Sequence, residues 1–158
     1  MPAETQYNYY DSALDRLFLS VLDQRVVALE YEPPEPQKFT TALPSGAIKH
    51  WLDQYFLGRP MPEDLTLMDH GTAFQQKVWR IMLQIPYGET LSYGAVSDLL
   101  GSAPRAVGQA CKRNPVPLLI PCHRIVGKHS IGGYEGAVSG HKLTRKQWLL
   151  AHERAVHA

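Results

Sequence analysis

Cys122 and His123 stand side by side in Ile120-Pro121-Cys122-His123-Arg124, with a proline before them and a cation after. A free thiol ionises near pH ~8.5, and a neighbouring base or cation raises the fraction of thiolate, the form that attacks. Such a pair is completed by a carboxylate that orients the imidazole. After residue 100 the sequence offers only Glu135 and Glu153 for that part. Glu153 ends the run Leu149-Leu150-Ala151-His152-Glu153, an apolar helical turn on which a buried acid needs a partner. These residues allow a Cys-His-Glu nucleophile relay. They equally allow a buried, inert Cys122 beside a structural His123.

A second cluster lies just upstream. Arg105, Ala106, Gly108, Gln109, Lys112 and Arg113 combine small side chains with cations. Small residues let a helix backbone approach a narrow groove, and Arg and Lys neutralise phosphates. The same small residues would also serve tight helix packing. Charge points the same way once it is divided along the chain. The net value is +1, but residues 1–69 carry five Lys/Arg against eleven Asp/Glu, and residues 101–158 carry nine against two. Such asymmetry points to nucleic acid, or to domains that attract each other.

Composition excludes several classes. With 44 % apolar and 20 % charged residues in 158, the chain can bury a core and is not a disordered tail. Two cysteines, Cys111 and Cys122, cannot make a disulfide framework or a four-thiolate zinc site. Neither a signal peptide nor a run of ~18 apolar residues is visible, so a soluble, cytoplasmic protein with reduced thiols is expected.

The elements that must hold these residues follow from periodicity. Leu17–Leu22 and Val26–Tyr31 read as a β-hairpin about Asp23-Gln24-Arg25, with Tyr7–Tyr10 as a third strand. Pro33, Pro34 and Pro36 are expected to stop the sheet. Ile48, Trp51, Leu52, Tyr55 and Phe56 predict an amphipathic helix over Ser45–Leu57 that covers one sheet face, and Gly58–Gly71 a linker. Thr72 with Gln75 is a capping-box pattern opening a helix with Phe74, Val78, Ile81, Met82 and Ile85 inward, ended by Pro86. Tyr87-Gly88-Glu89 makes a turn. Ser92 caps a short helix, Tyr93 to Leu100, closed by Gly101, and a second runs from Pro104 to Lys112. Two short helices across such a turn have helix-turn-helix spacing. A last helix is predicted to begin near Thr144.

Ile120-Pro121-Cys122-His123-Arg124-Ile125 resembles the active-site signature of the O6-alkylguanine-DNA alkyltransferases, the methylated-DNA–protein-cysteine methyltransferases. Further segments match in the family's order over about residues 72–154. Tyr87–Tyr93 is similar to its first DNA-binding segment, Arg105-Ala106-Val107-Gly108 to the start of its recognition helix, and Arg113–Pro117 to its hinge. Gly133-Tyr134-Glu135-Gly136 is similar to its substrate loop, and Leu149–Glu153 to its terminal helix.

The resemblance implies direct reversal of DNA damage: one irreversible transfer of an alkyl group from O6-alkylguanine to Cys122, and the same displacement would serve O4-alkylthymine. It implies His123 as base through a water, Glu153 as its support, Tyr93 as proton donor toward guanine N3, and Asn114 as a backbone anchor. It further implies double-stranded DNA bound in the minor groove through Arg105, Ala106, Gly108, Gln109, Lys112 and Arg113. The target base would be flipped out, with Arg105 in the vacated stack. Tyr134, Glu135 and the carbonyl of Ile125 would line the substrate pocket. No cofactor, no metal, no membrane and a monomer are implied.

The fold class expected is mixed α+β. Residues 1–69 would form a small sheet-plus-helix structural domain, ribonuclease-H-like by the resemblance, and 70–158 a mostly helical domain with the helix-turn-helix. Two departures stand out. The family's Gly-Tyr-x-Gly-Gly is Gly133-Tyr134-Glu135-Gly136-Ala137 here, and a longer stretch follows, so the pocket wall is expected to be reshaped. With no cysteine before Cys111, the N-terminal zinc site of some relatives is not expected. Two other readings stand beside this one: a cysteine hydrolase using Cys122, His123 and Glu153, and a helix-turn-helix module without chemistry.

Overall fold

Alternating apolar residues build the first sheet. The computed structural model describes residues 4–59, 71–128, 132 and 140–157, and packing divides the chain into two units, Met1–Asp69 and His70–Ala158. In the first unit, β1 (Gln6–Asp11), β2 (Arg16–Leu22) and β3 (Arg25–Glu30) are antiparallel neighbours. Leu17, Leu19 and Val21 of β2 are buried, as a central strand requires. On β3 the buried residues are Val26 and Leu29, three apart rather than two. A bulge explains this. Val21 pairs with Val26 while Ser20 pairs with Ala28, so Val27 is the extra residue that resets the phase of the strand.

The prolines do not end this sheet. After a 3₁₀ turn at Pro36–Lys38, β4 (Thr41–Ala42) joins the free edge of β1 in parallel, giving the order β3-β2-β1-β4. α1 (Ala47–Leu57) starts two residues later than Ser45, with Gly46 as its N-cap. It buries Trp51, Leu52 and Tyr55, while Ile48 and Phe56 remain half-buried. β1 reaches this helix through Tyr10, whose hydroxyl donates to Asp53 Oδ1 at 2.7 Å and whose ring stacks on Phe56.

The second unit opens with α2 (Ala73–Gln84), whose capping box is complete: Thr72 Oγ1 accepts from Gln75 N, and Gln75 Oε1 accepts from Thr72 N. Its buried residues are Val78, Trp79 and Met82, with Ile85 at the C-cap; Phe74 and Ile81 are only half-buried. Trp79 is the member that the apolar spacing left out. Its indole N–H donates to the Ala110 carbonyl at 3.0 Å and so ties α2 to the helix carrying the cationic cluster.

α3 (Tyr93–Leu100) is capped by Ser92 Oγ, which accepts from Ala95 N, and ends at Gly101 in the left-handed region, φ 62°. α4 (Pro104–Lys112) follows after three residues. β5 (Leu91–Ser92) and β6 (Ile125–Val126) form a short parallel pair that periodicity did not reveal, because two-residue strands carry no period. α5 (His141–His157) begins three residues before Thr144. The core of this unit includes Val78, Met82, Val96, Val107, Ile125 and Leu149, all fully buried. Among the described residues no helix is long and apolar enough to cross a membrane.

The β2–β3 hairpin turn yields a stability prediction. Asp23 and Gln24 form a two-residue loop with φ 55° and 62°, the pattern of a type I′ turn, which favours glycine at its second position. Gln24→Gly is expected to stabilise the protein by about 0.5–1 kcal/mol, because the strain of a side chain in the left-handed region outweighs the added freedom of the unfolded chain. Urea denaturation would check it, and an unchanged or lower midpoint would refute it.

Candidate active site

The chain between α4 and the nucleophile candidate is fixed by one amide. Asn114 Oδ1 accepts from Val116 N at 3.0 Å, and Asn114 Nδ2 donates to the Ile120 carbonyl at 2.8 Å. Asn114 is buried, and it closes a loop containing Pro115, Pro117 and Leu118. Leu118 has φ 78°, a conformation that costs a branched residue about 1–3 kcal/mol and persists only where its surroundings enforce it. Cys122 N then donates to the Ile120 carbonyl at 2.8 Å, and Cys122–Arg124 form a 3₁₀ turn. Cys122 is only 4 % exposed.

His123 and Glu153, thirty residues apart, are both buried, and His123 Nε2 hydrogen-bonds Glu153 Oε2. Glu153 Oε1 accepts from Arg124 Nε at 2.8 Å and from Gly88 N at 3.1 Å. Arg124 also donates from Nη1 to the Ile85 carbonyl at 2.8 Å, meeting one of the groups left open at the end of α2. Burial opposes ionisation of Glu153, but the hydrogen bond and charge of His123, with those of Arg124, outweigh it and hold the carboxyl well below the usual range. Burial pushes the His123 pKa down; Glu153 works against that push, while Arg124 and Lys146 add to it.

These directions fix the tautomer. An ionised Glu153 can only accept, so His123 Nε2 carries the proton and Nδ1 holds the lone pair. That Nδ1 is buried and makes no hydrogen bond to any described residue. A neutral imidazole with its acceptor nitrogen open and its donor on a carboxylate can take a proton from a nearby acid.

A second group of side chains gathers around β6. Tyr93, the first residue of α3, has Lys146 Nζ 5.7 Å from its ring centroid. Lys146 is completely buried and donates to the Ile125 carbonyl at 2.6 Å. Gly132 lies against Tyr93: a Cβ there would come 2.8 Å from Tyr93 Cε2, and its φ of +74° disfavours any side chain. Cys111 is half-buried on α4, and its burial pushes the thiol pKa well up.

The α4 cluster sorts by face. Val107 and Ala110 are buried, whereas Arg105, Gln109, Lys112 and the C-cap Arg113 are exposed and Ala106 and Gly108 half-buried. A Cβ built on Gly108 meets nothing within 4 Å, so internal packing does not require glycine there. Arg105, Gly108, Gln109 and Lys112 share one outward stripe by helical spacing.

The structure thus brings Cys122, His123 and Glu153 into one cluster, with Asn114 bonded to the segment that leads to it and Tyr93 and Ile125 in a second. Tyr134 and Glu135 lie outside the described residues. Sequence reasoning took Arg124 only as a neighbouring cation and missed its clamp on Glu153. It also missed the Gly88 amide and Lys146. A signal for Lys146 existed: it lies seven residues before Glu153 and three before Leu149, a lysine on the apolar stripe of α5.

The chain is similar to known proteins over nearly its whole length. The DNA-binding domain of 6-O-methylguanine DNA methyltransferase matches residues 73–155. The methylated-DNA–protein-cysteine methyltransferase of Mycobacterium bovis is 39 % identical, over 94 % of this chain and 92 % of its own length. The constitutive enzyme of that name from Bacillus subtilis is 40 % identical, over 91 % and 85 %. The crystal structure of Mycobacterium tuberculosis OGT in complex with DNA superposes with a TM-score of 0.78 at 36 % identity, covering 96 % of this chain and 94 % of that one. Identity at this level, sustained over nearly the whole length of both chains, places the present chain in the methylated-DNA–protein-cysteine methyltransferase family.

Proposed function

We propose that this protein repairs alkylated DNA by direct reversal, moving the alkyl group from O6 of guanine to Sγ of Cys122 in a single turnover. The observation that carries this reading is the buried His123, with Nε2 on Glu153 and Nδ1 open, next in sequence to Cys122. The thiol proton passes through a water to His123 Nδ1, and Glu153 stabilises the imidazolium. The Sγ–carbon bond forms as the carbon–O6 bond breaks, and the electron pair leaves on guanine. Tyr93 gives its phenolic proton to guanine N3. A soft thiolate suits this displacement; a hydroxyl would not ionise at neutral pH. The thioether product has no leaving path, so the protein reacts once. Nothing in the site favours a hydrolase.

The DNA-facing element in this reading is the helix-turn-helix of α3 and α4, with α4 in the minor groove. The exposed Arg105, Gln109, Lys112 and Arg113 support it, as do half-buried Ala106 and Gly108, the latter with its glycine unexplained by internal packing. Arg105 fills the stack after the alkylated base is flipped out. The Ile125 carbonyl, which has a second lone pair besides the one toward Lys146, reads the guanine amine. Residues 1–69 act as a structural domain; the order β3-β2-β1-β4 with β4 parallel to β1 supports the ribonuclease-H-like reading.

Three outcomes test the proposal. Duplex DNA containing O6-methylguanine should add one methyl group to the intact mass, mapped to Cys122 and absent in Cys122→Ala; a folded parent without the gain refutes the reading. Arg105→Ala should slow repair in duplex at least about tenfold more than reaction with a free O6-substituted guanine, because only the duplex requires flipping. Equal slowing would remove Arg105 from that role. The acid limb of the rate should lie below pH ~6.5, the ordinary histidine value, because burial depresses His123 and keeps the base neutral as pH falls through that point. The same depression makes stability fall as pH drops below ~6.5, since the unfolded chain then binds the proton first. A rate inflection at or above pH ~6.5 would contradict the assignment of His123 as base.

A further inference from the structure

The clamp on Glu153 adjoins a series of aromatic rings that the alkyl-transfer step does not itself use. The Arg124 guanidinium sits 5.6 Å from the Tyr87 ring centroid, within reach of a cation–π contact. On Tyr87 stands His152, edge to face, with centroids 6.4 Å apart and planes at 74°. Trp148, one helical turn back on α5, stacks on His152 at 4.9 Å and 14°. The contacts thus lead from the buried Arg124 through three half-buried rings. Both inner rings are also tied to the carboxylate through the chain. Tyr87 precedes Gly88, whose N–H donates to Glu153 Oε1 at 3.1 Å, and His152 precedes Glu153 itself. The Tyr87 hydroxyl oxygen is buried. Burial and the Glu153 charge, opposed by Arg124, push its pKa up to about 12, so the phenol keeps its proton at neutral pH.

We propose that Tyr87 is a positioning residue for alkyl transfer: its ring, backed by His152 and Trp148, closes the Arg124–Glu153 ion pair to water and so fixes the carboxylate that orients His123. The inference rests on the function proposed above. Tyr87 exchanges no atom in the step; it acts through Arg124 and Glu153. An ion pair strengthens as water is excluded, because the surrounding dielectric falls. A hydrated Glu153 would trade part of its bond to His123 for bonds to water, and the imidazole would lose its fixed orientation. A flat π face suits this place better than an aliphatic chain, since it covers the guanidinium plane and attracts its charge.

The consequence for the base has a definite sign. His123 follows Cys122 and is faced by Arg124 of its own turn and by Glu153 and Lys146 of α5. Burial is the largest influence on it and lowers its pKa. Water admitted at Tyr87 relieves that burial, so the His123 pKa rises toward its ordinary value of ~6.5.

The test is the rate of transfer from a free O6-substituted guanine, read by intact mass from pH about 5 to 8 for the parent, Tyr87→Phe and Tyr87→Leu. Tyr87→Phe keeps the ring and should stay within about threefold of the parental rate, with the parental acid limb. Tyr87→Leu should react about tenfold more slowly at neutral pH, and its acid limb should move up toward pH ~6.5. Tyr87→Leu reacting at the parental rate overturns the inference. So does a slower Tyr87→Leu whose acid limb stays in place, which is a packing effect alone. Tyr87→Phe as slow as Tyr87→Leu overturns it as well, by assigning the role to the hydroxyl. If Tyr87→Leu does not fold, His152→Ala decides, since it removes the ring behind Tyr87: the acid limb should again move up, and an unmoved limb overturns the inference. Failure of the parent to take up the alkyl group at any pH refutes the proposed function instead, and so is distinct from failure of the Tyr87 role.

Discussion

A carboxylate with almost no exposed surface holds the second unit's site together. Glu153 is 1 % exposed and accepts hydrogen bonds from His123, Arg124 and Gly88. An ion so placed costs several kcal/mol to desolvate, and only complete pairing makes it tolerable. Every partner is therefore constrained. The 3₁₀ turn supplies two of them, the turn after α2 supplies the third, and Arg124 extends the tie to the Ile85 carbonyl. Removing one partner would leave a charge uncompensated, at a cost of about 3–5 kcal/mol. The same ties keep the imidazole in one tautomer and one orientation, which proton transfer needs.

Rigidity on the other side of Cys122 has a different origin. The segment from Asn114 to Ile120 has no regular ladder to hold it, yet it must deliver the thiol to a fixed point. Two side-chain hydrogen bonds from Asn114 and the restricted dihedrals of Pro115 and Pro117 take the place of a ladder. The unfavourable φ of Leu118 shows how strongly the loop is determined by its surroundings.

Much of this was legible in the sequence wherever a local rule decides the outcome. The capping box at Thr72, the Ser92 cap, the left-handed Gly101 and the proline start of α4 depend on a few neighbouring residues, and all stand as the spacing predicts. Features that depend on distant partners were hidden. Trp79 turns inward because Ala110 offers a carbonyl, and β3 keeps Val26 and Leu29 inward through a bulge in its pairing with β2. In the site, residue types exposed Cys122, His123 and Glu153, but Arg124 read only as a cation beside the thiol and Lys146 was not singled out. Their burial depends on carbonyls at residues 85 and 125, which no side-chain pattern records.

That distinction also changes the meaning of the charge asymmetry. Of the nine cations after residue 100, Arg124, Arg145 and Lys146 are buried. Arg124 is neutralised by its ion pair with Glu153, so it adds little to the field that draws a polyanion. What remains outside is a smaller set, including Arg105, Lys112, Arg113, Lys128 and Arg154. Three of these five lie on or at the end of α4, beside the half-buried Ala106 and Gly108. The surplus positive charge of the sequence therefore separates into two physical roles. One part is spent inside, holding a carboxylate and a carbonyl in place. The other is exposed, with three of its cations on or at the end of α4 beside small residues, which is what the proposed DNA contact of that helix calls for.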